Sequence, residues 1–260
     1  MENNIVLIIT GCINPVKEQN WLYIKDKDER LRQYLESIRF YLTHCIVRKI
    51  VFCENSNYAC FMAKQALIKL AKDCNKQLEW LGFNGDSNLV KLHGKGYGEA
   101  EIMNYVCSHS SLLKESTQLV KVTGRLIVKN INEIILSTQV NSNYFYRDIY
   151  RSHLHGVDTR CYICNIEYFK GYLNNCYEKV KNKNLALEDA YFILLGNNFK
   201  APKEYLRIYG ISGGNGRVYG DESKFFLRIF DMLCTLGVFN TLFPLWFVSF
   251  KLWKKLKIKF

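Results

Sequence analysis

The sequence predicts an α/β protein: a mostly parallel, Rossmann-like sheet flanked by helices, with a C-terminal membrane-associating helical tail. Three observations predict it. Short β-rich apolar runs alternate four times with helix-period segments in the first half of the chain, the pattern of parallel strands joined by crossover helices. Glycine and polar residues collect at the end of each run, where ligands bind in such sheets. The last forty or so residues change character, from mixed to apolar and then basic. The chain thus divides into a catalytic-type domain, 1–222, and an attachment segment, 223–260.

Taken in order, Ile5–Ile9 reads as a buried strand followed by a Gly–Asn–Pro loop. Asp26 or Asp28 caps a helix with Leu31, Leu35, Ile38 and Leu42 on its apolar face. Ile46–Phe52 is a second strand, and Cys60, Ala63, Leu67 and Leu70 mark a second helix. Leu78–Phe83 is a third strand, followed by a glycine-rich loop over 94–99. Ile102, Tyr105, Val106, His109 and Leu113 then repeat at helical spacing before a fourth strand, Leu119–Val122. Beyond it the chain reads as irregular segments, a strand near Arg160–Cys164, a helix after Ile166 and another over Leu187–Leu195.

With 260 residues, 48% of them hydrophobic, and three prolines, the chain can bury a sizeable core. The N-terminal apolar run is too short and lacks the basic start of a signal peptide. Ten scattered cysteines then read as small apolar fillers in a reducing compartment. Cys161 and Cys164 form a lone C-x-x-C with no second pair at zinc-ligand spacing. A net charge of +12 calls for an anionic partner: nucleic acid, anionic lipid or a phosphorylated small molecule.

Four segments carry candidate chemistry. HGKGYGEAE (93–101) sets Lys95, Gly96 and Gly98 just before a helix, either as a backbone cradle for an anion or as a simple turn into that helix. It matches neither the Walker sequence nor the dinucleotide fingerprint. KVTGRL (121–126) brings Lys121, Thr123, Gly124 and Arg125 to the end of the fourth strand, where two cations suit a diphosphate. LALEDAYF (185–192) places Glu188 and Asp189 among apolar residues, a setting for a general base or merely a helix surface. GISGGNGRVYG (210–220) has five glycines in eleven residues and reads as a loop that approaches something closely or turns sharply.

In their order, VLIITG, FCENSNY, GKGYGEAEI, LVKVTGRLIVKNI, LEDAYF and GISGGNGRVYG resemble bacterial capsule and lipopolysaccharide glycosyltransferases with a GT-A-type fold, over residues 5–220. The resemblance implies a nucleotide-sugar donor, a UDP-sugar favoured, over the first four strands. Thr10, Gly11, Glu54 and Asn55 would border the nucleoside, with Lys95 and the loop glycines near it or its phosphates. Asp189 matches the catalytic base of inverting members, with Glu188 as fallback. Arg160, Ser212, Gly213, Gly214 and Arg217 fall to the acceptor or phosphate side. Where many GT-A enzymes carry Asp-x-Asp, this chain has Thr123-Gly124-Arg125. Hard cations favour carboxylate oxygens, so no metal cofactor is expected, with a Mg²⁺ or Mn²⁺ requirement left open.

Residues 232–250 are nineteen consecutive uncharged residues, followed by KLWKKLKIKF with five lysines. Gly237, Asn240 and Pro244 interrupt the run, which favours interfacial attachment to an anionic membrane over a span. The expected acceptor is a glycan or lipid-linked glycan, and the expected place the cytoplasmic face of the inner membrane. A nucleic-acid-binding protein lacks its usual marks here, since no zinc finger, RNP-like segment or basic stripe precedes the tail. A non-catalytic scaffold subunit remains the main alternative, and a nucleotidyltransferase would want metal-binding carboxylates.

Overall fold

The computed structural model describes residues 4–15, 22–147, 156–183, 185–213 and 216–220, together with Ile229. Nine strands are found among them: β1 (Ile5–Gly11), β2 (Lys49–Glu54), β3 (Gln77–Gly82), β4 (Gln118–Thr123), β5 (Leu126–Val128), β6 (Tyr144–Arg147), β7 (Val157–Asn165), β8 (Ile208–Ile211) and β9 (Val218–Tyr219). The helices are α1 (Lys27–His44), α2 (Phe61–Asp73), α3 (Ser87–His93), α4 (Lys95–His109), α5 (Ser111–Lys114), α6 (Ile131–Leu136), α7 (Ile166–Tyr168), α8 (Cys176–Lys183) and α9 (Leu187–Leu195). Six strands form one sheet in the order β3-β2-β1-β4-β7-β6. The first four are mutually parallel, while β7 runs antiparallel to β4 and β6 antiparallel to β7. A small antiparallel sheet, β5-β8-β9, stands beside it. This is the α/β architecture, a mostly parallel sheet flanked by helices, that the sequence predicts.

β1 and β2 are apolar at most positions because both faces are covered, while β3 at the sheet edge is only half-buried. Val6, Ile8, Val51 and Leu119 pack toward α4, α8 and α9. Leu7, Ile9, Ile50, Phe52, Val120 and Val122 pack toward α1, α2 and α6. Cys161 and Cys164, three apart on β7, fall in opposite core layers, as a strand's two-residue alternation requires. They therefore form no shared ligand pair.

Helix α1 starts where Asp26 caps it, its Oδ1 accepting from Glu29 N at 2.7 Å. The second strand begins at Lys49 rather than Ile46, because Asn132 Oδ1 takes the Ile46 N–H at 2.9 Å and holds that turn away from the sheet. The expected loop over 94–99 is instead the first turn of α4. Gly94, at φ +84°, makes the break between α3 and α4, and Gly96 and Gly98 serve packing inside the helix. Past Ile166 the helix is short and runs into a π-helical turn, Phe169–Leu173. The sheet β5-β8-β9 and the strand β6 fall where the pattern predicts irregular segments, since strands of two to four residues are too short to display alternation. Segment 223–260, apart from Ile229, lies outside the described residues. Among the described residues no helix is long and apolar enough to cross a membrane.

Candidate active site

The four parallel strands end level with one another: Gly11 pairs with Glu54, Glu54 with Gly82, and Thr10 with Thr123. Gly124 continues from there by donating its N–H to Thr10 O at 2.9 Å. A Cβ at Gly124 would lie 2.5 Å from that same oxygen, so only glycine permits the turn. Gly11 is likewise fixed by the Phe52 ring, 2.8 Å from where its Cβ would be. Thr10 is buried.

Glu54, also buried, spends its carboxylate on the loop that follows β2, accepting from Ser56 N at 2.9 Å, Ser56 Oγ at 2.5 Å and Tyr58 N at 2.8 Å. Asn55 donates its N–H to Gly11 O at 3.2 Å and its side-chain amide to Glu101. Its Oδ1 and Glu101 Oε2 are both buried without a hydrogen-bond partner. Burial raises the Glu101 pKa, against the hydrogen bonds from Asp86 N–H and Asn55.

Lys121 lies inside β4, facing α4 and α9, with its side chain 1% exposed. Its Nζ forms an ion pair with Glu99 and donates to Thr159 O at 2.6 Å and to Thr123 Oγ1 at 3.1 Å. Burial pulls its pKa down to about 7, opposed by Cys161, Asp158 and Glu188. Glu188 and Asp189 occupy the half-buried first turn of α9. That turn is brought to this place by packing of α9 against β7 and α4. Gly96 makes the fit possible: a Cβ there would sit 3.1 Å from Leu187 Cβ. Gly98 similarly faces Asn55 and Val90, and Lys95 is exposed at the start of the same helix.

A second ionic group adjoins on β7. Arg160 Nε donates to Asp158 at 2.9 and 3.0 Å and Nη2 at 2.5 Å. Although burial opposes charge on both, the pairing prevails, lowering the Asp158 pKa and raising that of Arg160. Tyr219 then collects two cations, Arg160 at 5.1 Å and Arg217 at 5.5 Å from its ring centroid. The glycine-rich segment closes on itself, with Ser212 N donating to Arg217 O at 2.8 Å and Gly216 N to Ser212 O at 3.2 Å. Gly213 O accepts from Tyr23 N at 3.0 Å, and Gly214 lies outside the described residues. Arg125 points to the α1 side instead, where its Nη1 meets Gln33 Oε1 at 3.3 Å.

The structure thus gathers Lys121, Thr123, Glu188, Asp189 and the start of α4 on one side of β4's end, and Arg125 on the other. No local pattern marks Glu99, Asp158 and Thr159 as members of this site. The one available clue was Lys121 itself, a cation in an apolar strand that demands a buried partner. Thr123-Gly124-Arg125 offers no carboxylate, Glu99 is paired with Lys121, and Asp158 with Arg160. Among the described residues no group of three metal-ligating side chains converges.

No family model and no curated protein matches the chain. Among solved structures it is similar to the apo form of the glycosyltransferase GlyE of Streptococcus pneumoniae, at 10% identity and a TM-score of 0.47, over 75% of this chain and 44% of that one. It is also similar to the bifunctional glycosyltransferase WbbM, at 10% identity and 0.44, over 75% and 37%. A third is the PaToxG glycosyltransferase, at 9% and 0.40, over 91% and 77%. The chain spans less than half the length of the first two proteins.

Proposed function

We propose that this protein is a glycosyltransferase that moves a sugar from a nucleotide donor, a UDP-sugar favoured, to a hydroxyl of a glycan or lipid-linked glycan. The observation that carries the reading is the acidic first turn of α9, standing beside the level carboxyl ends of the parallel strands where a ligand would lie. The donor's nucleoside lies over β1 and β2. The acceptor oxygen attacks the anomeric carbon, the bond from that carbon to the diphosphate breaks, and Asp189 takes the hydroxyl proton. The configuration inverts. Glu188 is the second candidate for the base.

Charge builds on the leaving diphosphate, and fixed cations suit it in the absence of an acidic metal-binding pair. Lys95, Arg160 and Arg217 are the candidates. Lys121 is too enclosed for direct contact, and it braces α4 to β4 through Glu99. Residues 232–260 attach the enzyme to the cytoplasmic face of the inner membrane, near a lipid-linked acceptor for a surface glycan. The missing acidic pair at 123–125 is also what a non-catalytic scaffold subunit would show.

Asp189→Asn separates the two readings. An enzyme loses turnover by at least about a hundredfold, the usual contribution of a general base, and keeps its donor-induced thermal shift. A wild-type chain with no turnover on any nucleotide sugar would favour the scaffold. A donor shift in EDTA supports the metal-free reaction, whereas a shift seen only with Mn²⁺ would sink it.

A further inference from the structure

On the α1 side of the sheet, a cavity of about 170 Å³ opens between α1 and the small sheet. Arg125 and Gln33 line it, with Ile127 and Tyr209 as walls. Arg125 is 8% exposed, yet no carboxylate among the described residues pairs with it. Its partners are neutral: Gln33 Oε1, and the Tyr34 hydroxyl. A second guanidinium lies nearby in the same condition. Arg30 is 4% exposed and donates only to Cys12 O at 2.8 Å, Ile24 O at 3.1 Å and Tyr34 Oη at 3.3 Å. By contrast Arg32, also at the lining, and Arg160 and Arg207 outside it each meet a carboxylate.

Two buried guanidiniums sharing one tyrosine and no counter-charge are costly, because a buried cation without a counter-charge is disfavoured. An anion entering the cavity would relieve that imbalance. Arginine's planar fork suits a phosphate or carboxylate bidentately. A Cβ at Gly213 would fall on the guanidinium, so the glycine leaves room for it there. Glu36, the acidic residue at the lining, is tied to Arg32 at 3.3 Å. The volume sets the size of the guest, since pockets for drug-sized ligands start at roughly 300 Å³. A nucleoside diphosphate does not fit.

We propose that this cavity is a small-oxyanion site in which Arg125 grips a phosphate or carboxylate group beside Gln33, on the other side of β4 from Lys121, Glu188 and Asp189. The group is either a free ion or an anionic substituent of a sugar. The site does not depend on the transferase reading, and its test can succeed where that reading fails.

Thermal shift of the full chain with inorganic phosphate, at constant ionic strength, tests it. Wild-type protein should show a saturable rise in Tm. Arg125→Met should weaken phosphate at least about tenfold, the loss expected for a charged hydrogen-bonding partner. Ile211→Trp, which blocks the cavity and keeps the arginine, should do the same. Both variants should retain any shift given by UDP. Absence of a phosphate shift, an equal shift in Arg125→Met, or loss of the UDP shift in that variant would each overturn the proposal. A phosphate shift without any UDP response would keep the oxyanion site and tell against the transferase. A hexose phosphate or hexuronate that binds more tightly than the bare ion identifies a sugar substituent as the guest, and equal affinity identifies the free ion.

Discussion

Lys121 and Glu99 bind one another with side-chain exposures of 1% and 21%, so neither can lose its partner cheaply. Lys121→Met leaves the Glu99 carboxylate facing an apolar wall and should destabilise by about 3 kcal/mol. Adding Glu99→Gln removes the stranded charge and should restore most of that loss, read from urea unfolding midpoints. A double variant as unstable as the single would show that the pair is not what holds this region. Glu101 offers the opposite case. Its folded pKa is raised by burial, so the folded protein holds a proton there that the unfolded chain releases earlier. That contribution is full below the ordinary carboxylate range and is lost as pH rises through the raised value. Glu101→Gln still accepts from Asp86 N–H and carries no charge to bury. Stability at pH 7 should rise by about 1 kcal/mol, and calorimetry at pH 5 and 7 should show a smaller pH dependence than wild type. An unchanged pH dependence would contradict this. At this scale the sequence showed which residues carry charge but not their partners. Glu99 and Thr159 are 22 and 38 positions from Lys121, and no local pattern joins them.

Helices α4 and α9 meet end to end through a glycine. Gly96→Leu would drive its side chain into Leu187, displacing the turn that carries Glu188 and Asp189. The expected loss is about 2 kcal/mol, as for other overpacked contacts, with turnover falling while UDP binding persists. Unfolding and turnover of the same preparation check it, and full activity would show that the position of α9 is not critical. The long elements were legible because their periodicity is strong: the four apolar strands, α1 with its Asp26 cap, and α9 over Leu187–Leu195. The start of α4 was not, since three glycines in HGKGYGEAE read locally as a loop. Tertiary contact with α9 and Asn55 overrides that tendency, which only the assembled layers reveal.

Across the whole chain the +12 charge is spread unevenly, with five lysines in the final ten residues. Under the proposed function, a chain ending at residue 231 should lose most of its affinity for anionic vesicles and keep its response to a nucleotide donor. Flotation with phosphatidylglycerol vesicles measures the first and thermal shift the second. Vesicle binding that survives truncation would move the membrane contact into the folded domain. The alternation of strands and helices was enough to foresee the parallel sheet. The antiparallel entry of β7 beside β4 was not foreseeable from pattern alone, because strand direction is fixed by the long connection before it.

The two cysteines of β7 look out from opposite sides of the same strand, each sealed within its own layer. Burial pushes the Cys161 thiol up to about 12 and raises that of Cys164 as well, so neither reacts readily while the sheet is intact. Alkylation at these sulfurs thus becomes a clock: Cys161 records opening of the α1 layer, and Cys164 opening of the α9 layer that carries the proposed base.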